Sequence, residues 1–236
     1  VACAPSCWDW SGSLGNSPMT LFPVILPVAE DINELPQAKQ AAFLSRVSRE
    51  ALKLSAEKSG ITLGELSKNQ DNAPLPFGHY CWSVSHKPRY VAAVVSSDKI
   101  GIDIEEVKPR NESLWSYVAT GEEWDLCGGK SWDAFFRYWT AKEAVLKACG
   151  IGLGGLKACQ VISVPDETDV VLQYRDCVYQ VEQLRCNNHI VSVLKSDGEV
   201  EWVTPKVGGS LDRSGSCSNF PSWVEPAPRS MKTSQD

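Results

Sequence analysis

The 236 residues carry 29 acidic and 23 basic side chains, a net charge of −6, with 43% hydrophobic and 22% charged residues. A globular chain of this size buries an adequate core as one large domain or two small ones. The acidic balance argues against nucleic acid as a partner, since that binding rests on phosphate neutralisation by Lys and Arg, and no run of about eighteen apolar residues offers a membrane span.

In chain order, the run from Leu21 to Val28 is broken by Pro23 and Pro27 and lacks the basic flank of a secretory signal, so a strand is expected. From Pro36 to Gly60 the pattern is helical: Ala41, Ala42, Leu44, Val47, Ala51, Leu52 and Leu54 recur at three and four, and Gly60 suits the stop. The other side of that helix carries Lys39, Arg46, Arg49 and Lys53. Three extended segments follow, Tyr80 to Val84, Arg89 to Ser96 and Ile100 to Val107, and Asp98-Lys99 suits a tight turn joining the last two as a hairpin. Helical patterns return over Ser113 to Leu126 and, strongly, Ser131 to Cys149, with Ser131 as cap and Gly150 after the last turn. Four more strands are expected at Ala158 to Val164, Val170 to Tyr174, Val178 to Leu184 and His189 to Leu194. From Pro205 onward Ser, Gly and Pro crowd the sequence, and a flexible tail is expected over 205–236. The nine cysteines lack CxxC spacing, and reduced cytosolic thiols suit them better than a zinc finger or a disulfide scaffold.

Three segments carry chemistry. In Gly101-Ile102-Asp103-Ile104-Glu105, strand alternation sends Ile100, Ile102 and Ile104 to a core and puts Gly101, Asp103 and Glu105 on the other face. Two adjacent carboxylates repel unless a cation lies between them, and Mg²⁺ selects such oxygen ligands together with phosphate oxygens. A solvent-facing acidic edge is the alternative, and the pentapeptide alone leaves both open. In the helix expected over Ser131 to Cys149, Trp139, Glu143 and Lys147 form an i, i+4 stripe. It reads as a surface ion pair beside an aromatic, or as a third metal carboxylate with a phosphate-pairing lysine. Trp82-Ser83-Val84-Ser85-His86-Lys87-Pro88 ends a strand in hydroxyl, imidazole and ammonium groups, which make a polar turn or a set of phosphate donors.

Ser85-His86, then Gly101-Ile102-Asp103-Ile104-Glu105, then Trp139-Thr140-Ala141-Lys142-Glu143-Ala144-Val145-Leu146-Lys147 together resemble the 4′-phosphopantetheinyl transferase superfamily in its larger, single-chain, pseudo-dimeric form. The resemblance covers roughly residues 36 to 195. It implies an α+β fold of two similar α/β halves around a pseudo-twofold axis, with the active site in the cleft between them. The halves would be 1–99, with the basic helix and the Ser-His turn, and 100–204, with the metal carboxylates. It implies Mg²⁺-dependent transfer of 4′-phosphopantetheine from coenzyme A to a serine of an apo acyl or peptidyl carrier protein, releasing adenosine 3′,5′-bisphosphate. Asp103, Glu105 and Glu143 would bind Mg²⁺, and Asp103, Glu143 and Lys147 would carry catalysis. Ser85, His86, Lys142, Lys147, Arg49, Lys53 and Arg46 would hold the coenzyme. A cytoplasmic monomer is expected. Lys87 departs from the small hydroxyl residue that many relatives have after the His, and the segment before Pro36 matches nothing in the pattern.

Two rivals are a metal-dependent nuclease built on Asp98, Glu106 and Lys108, and an inactive module that binds coenzyme A or a carrier. Glu106 falls on the strand face opposite Asp103 and Glu105, which disfavours the first. A complete set of carboxylates disfavours the second.

Overall fold

The computed structural model describes residues 20–28, 32 and 34–204. It is a mixed α+β structure with two antiparallel sheets. Strands β1 (Val24–Pro27), β2 (Cys81–Lys87) and β3 (Tyr90–Ser96) form a three-stranded sheet in the order β1-β3-β2. Strands β4 (Ile102–Glu106), β5 (Cys159–Ser163), β6 (Asp169–Tyr174), β7 (Cys177–Cys186) and β8 (His189–Lys195) form the second, in the order β4-β8-β7-β6-β5. Helix α1 (Gln37–Lys58) packs on the small sheet. The short helices α2 (Trp115–Val118) and α3 (Gly121–Asp125) lead to α4 (Trp132–Cys149), which packs on the large sheet.

The segment Val91–Val95 is apolar without alternation because both of its faces are buried. Val91, Ala93 and Val95 join the core under α1, whereas Ala92 and Val94 join the core around α4. The small sheet is therefore a shared wall between two cores. The chain closes this arrangement at its far end. Leu21 N donates to Glu199 O (2.8 Å), and Ile25 N donates to Val203 O (2.9 Å), so residues 199–203 run parallel to the start of the small sheet. Trp202 meanwhile packs in the α4 core and donates to Glu182 Oε1 (3.1 Å).

The hairpin expected at Asp98-Lys99 does not form. Strand β3 has both edges occupied, by β1 and β2, so β4 takes a different partner and pairs with β8. The hairpin partner of β3 is β2, turned at Pro88 and Arg89. The single helix expected over Ser113 to Leu126 is broken. Ala119 and Thr120 are extended, and Thr120 restarts the chain as α3 in a capping box with Glu123. Helix α4 follows its sequence signals closely. Ser131 accepts a hydrogen bond from Ala134 N, and Gly150 ends the helix at φ 67°.

The remaining strands agree with expectation within a few residues at their ends. Cys81, Cys127, Cys149, Cys159 and Cys186 are free thiols, but Cys177 is disulfide-bonded, so the expectation of thiols throughout fails at that residue. Among the described residues no helix is long and apolar enough to cross a membrane. The tail expected over 205–236 lies outside the described residues, as does most of the segment before Pro36.

Candidate functional site

The two layers meet at Gly101. A Cβ added there would lie 1.8 Å from Ala144 O and 2.9 Å from Ala148 N, so only glycine lets the start of β4 lie against the backbone of α4. That close approach sets Asp103 and Glu105 beside Glu143 and Lys147. Ile100, Ile102 and Ile104 fill the core, as strand alternation predicts. Strand β2 runs along the other flank of β4. Ser83 Oγ accepts from Ile102 N (3.1 Å), and Ser85 Oγ donates to Asp103 Oδ1 (2.7 Å).

These elements wall a cleft of about 910 Å³. One side is α1, whose Gln37, Gln40, Ala41, Leu44, Ser48, Arg49 and Leu52 recur at helical spacing along it. Ala41 and Ala42, expected in the apolar stripe, are both exposed, and Ala41 lines the cleft rather than the core. The floor carries Ser85, His86 and Lys87 from β2 and Asp103 and Glu105 from β4, and the far side carries Trp139, Glu143 and Lys147 from α4. Of the expected residues, the cleft thus gathers Ser85, His86, Asp103, Glu105, Glu143, Lys147 and Arg49.

Three expected coenzyme-binding residues are elsewhere. Lys142 is 1% exposed and is held by Val118 O (2.5 Å) and Glu123 Oε1 (2.7 Å), beneath α4 rather than in the cleft. A residue next to Glu143 on a helix points about 100° away from it. Lys53 pairs in solvent with Glu57 (3.7 Å), and the Arg46 guanidinium lies 4.7 Å from the centre of the Phe43 ring. Neither lines the cleft. Conversely, Lys68 lines it without having drawn notice, since it stands in an irregular segment where periodicity is silent. The nuclease-like set is not assembled. Lys108 pairs with Glu106 in solvent (2.6 Å), while Asp98 belongs to the turn at the other end of β4.

The electrostatics are concentrated on the floor. Asp103 and Glu105 are 4% and 7% exposed. Lys147 Nζ donates to Asp103 Oδ1 (2.6 Å) and to Ile102 O (3.0 Å), and Lys87 Nζ pairs with Glu105 Oε1 (2.6 Å). Arg110 stands 4.0 Å from Glu105 Oε2. Burial pushes the Glu105 carboxyl up, against the opposing effect of Lys87. Burial, with the Asp103 charge next in weight, pushes Glu143 up to about 7. Burial also lowers His86, helped by Lys87, Lys147 and Lys68, so its imidazole is neutral near pH 7.

Buried Asp103 Oδ2 and Glu105 Oε2 have no hydrogen-bond partner. Two unpartnered carboxylate oxygens beside a third carboxylate fit a hard divalent cation in donor chemistry, because Mg²⁺ takes a few carboxylates and keeps waters or phosphate oxygens. The side chains are not gathered into a cage: among the described residues no three His, Cys, Asp or Glu groups converge at metal distance, and lysines hold two of the carboxylates instead.

Residues 99–194, which contain both carboxylate segments and the Lys147 helix, match the model of the 4′-phosphopantetheinyl transferase superfamily. That segment of the chain is similar to the superfamily's members. It is 28% identical over 172 residues to a proposed 4′-phosphopantetheinyl transferase of Haemophilus influenzae, covering 69% of this chain and 72% of the relative. It is 33% identical over 93 residues to the 4′-phosphopantetheinyl transferase HetI of Nostoc, covering 36% and 39% of the two chains. With the L-aminoadipate-semialdehyde dehydrogenase-phosphopantetheinyl transferase of Schizosaccharomyces pombe it shares 49% identity over 63 residues, 24% of each chain. The matched segments thus span less than half the length of the latter two relatives. Arg49, Lys68, Ser85, His86 and Lys87 precede the superfamily match, so their place in the cleft is a property of the fold around it.

Proposed function

We propose that this protein transfers the 4′-phosphopantetheine group of coenzyme A to a serine hydroxyl of an apo acyl or peptidyl carrier protein. The serine oxygen bonds to the β-phosphorus, the bond from that phosphorus to the bridging oxygen breaks, and adenosine 3′,5′-bisphosphate leaves. The observation that carries this reading is the cleft itself: the carboxylates of Asp103, Glu105 and Glu143 share it with the basic and imidazole groups of Arg49, Lys68, His86, Lys87 and Lys147. Such a surface suits a phosphate ester together with a divalent cation better than either alone.

When bound, Mg²⁺ would neutralise the diphosphate oxygens, with Asp103, Glu105 and Glu143 as its protein ligands. The chain's own groups do the rest. Lys147 holds an ammonium where charge builds on the departing phosphate. Ser85 fixes the Asp103 carboxylate through its 2.7 Å hydrogen bond. His86 and Arg49 offer donors to the outer phosphates. Glu143, raised toward neutrality by burial and its acidic neighbours, is suited to accept the serine proton. Lys142 has a structural part, securing Glu123 beneath α4.

We further read the layers as two halves, 1–99 and 100–204, related by a pseudo-twofold axis. In support, each has one long helix packed on an antiparallel sheet, with the cleft at their junction. The inactive-module alternative predicts coenzyme binding without transfer. Incubation with labelled coenzyme A, Mg²⁺ and a panel of apo carrier proteins tests both. Label on a carrier serine is the expected result, and its absence from every carrier refutes the enzyme.

A further inference from the structure

The two lysines that pair with the floor carboxylates are held differently. Lys147 reaches two acceptors on β4, Ile102 O and Asp103 Oδ1. Lys87 is the last residue of β2, its side chain is 30% exposed, and Glu105 is its one ion-pair partner among the described residues. Its place follows from strand geometry. Ser85 meets Asp103, and a two-residue step along both strands brings Lys87 to Glu105. Residue 87 therefore stands over the second carboxylate of the floor.

The Lys87 ammonium and a divalent cation cannot both occupy Glu105 Oε1. Like charges at contact separation repel strongly in a partly desolvated site. Glu105 Oε2, in contrast, is buried with no hydrogen-bond partner. We propose that Lys87 is a resident counterion for Glu105, which it releases when a divalent cation binds there, turning to the phosphate oxygens of the incoming ester. The idea rests on the reading above that a cation and a phosphate ester share this cleft. Lys87 is then a positioning residue with two opposed effects: it competes with the cation in the empty cleft and, by neutralising Glu105 in the absence of metal, spares an incoming anion the repulsion of that carboxylate. A purely structural ion pair has neither effect.

The test is calorimetric and needs no turnover. Wild type, Lys87→Met and Lys87→Gln are titrated at pH 8 with Mn²⁺ alone, and separately with coenzyme A in the presence of a chelator. Both variants are expected to bind Mn²⁺ roughly 10-fold more tightly and metal-free coenzyme A roughly 10-fold more weakly, the scale of one charge-assisted contact. Lys87→Arg, which keeps the charge, is expected to stay close to wild type in both titrations. Unchanged or weaker Mn²⁺ binding in the neutral variants, or unchanged metal-free coenzyme binding, overturns the proposal. Opposed shifts in a protein that modifies no carrier would leave the counterion standing and remove only the transferase reading.

Discussion

Gly101 offers the most direct test of how the site is built. An alanine Cβ would lie 1.8 Å from Ala144 O and 2.9 Å from the Ala144 carbonyl carbon, both main-chain atoms of α4. Carbon and oxygen tolerate roughly 3.3 Å, so Gly101→Ala must part β4 from α4 by about 1.5 Å. No flexible side chain can absorb the clash. Overpacking costs about 1–3 kcal/mol in a core that can adjust, and a backbone obstruction belongs at or above the upper end. The same movement pulls Lys147 from Ile102 O and Asp103 Oδ1, now at 3.0 and 2.6 Å, and moves Glu143 away from the floor carboxylates. Displacement of catalytic groups by about 1 Å lowers turnover by roughly 10²-fold. Urea denaturation and carrier modification measured on one preparation should show both losses. Wild-type stability together with wild-type transfer would refute the idea that this contact aligns the two carboxylate-bearing segments.

Asp103→Ala should abolish transfer while far-ultraviolet circular dichroism stays native, because the side chain faces the cleft rather than a core. Lys147→Ala should lower turnover by about 10²-fold if its ammonium meets transition-state charge. Arg49→Ala should raise the KM for coenzyme A by about 10-fold, whereas Lys53→Ala, on the solvent side of the same helix, should leave it unchanged; equal effects would misplace the coenzyme. Burial holds the His189 imidazole below its ordinary pKa, so between the two values the unfolded chain binds a proton that the folded chain refuses. Its contribution is therefore complete above the unfolded pKa of about 6.5 and declines as pH falls below it, so the urea midpoint should depend less on pH between 5 and 7 in His189→Phe than in wild type.

Much of this was legible in the sequence. Short-range signals were read correctly: Ser131 and Gly150 bounded α4, and the alternation of isoleucines with Asp103 and Glu105 placed each on its proper face. The misreadings came where long-range pairing decides. Nothing local at Asp98-Lys99 reveals that β3 already has two neighbours and that β4 must pair with β8. The basic face of α1 was visible, but periodicity cannot say which arginine overhangs a cleft formed with β2 and α4. Lys68 had no pattern to announce it, and Lys87 was seen in its turn without its partner on β4.

Lys142 and Glu143 show why adjacency in a motif does not imply shared chemistry. They are neighbours in sequence, yet the helix sends Glu143 to the cleft and Lys142 beneath α4, to a carboxylate that is itself fully engaged. Glu123 receives Lys142 Nζ and Val161 N on one oxygen and Thr120 N on the other. Burial opposes its ionisation, but these donors outweigh burial and hold the carboxyl below its ordinary range. It thereby ties α3, α4 and the sheet-edge strand β5 to one point. Removing the lysine would strand a buried carboxylate, a loss of about 3–5 kcal/mol, whereas replacing both partners with apolar residues of similar volume is often close to neutral. Lys142→Met should therefore lower the urea midpoint sharply, and adding Glu123→Leu should restore part of the loss despite removing the cap of α3. A Lys142→Met protein of unchanged stability but diminished coenzyme affinity would reverse this assignment and return Lys142 to the phosphates.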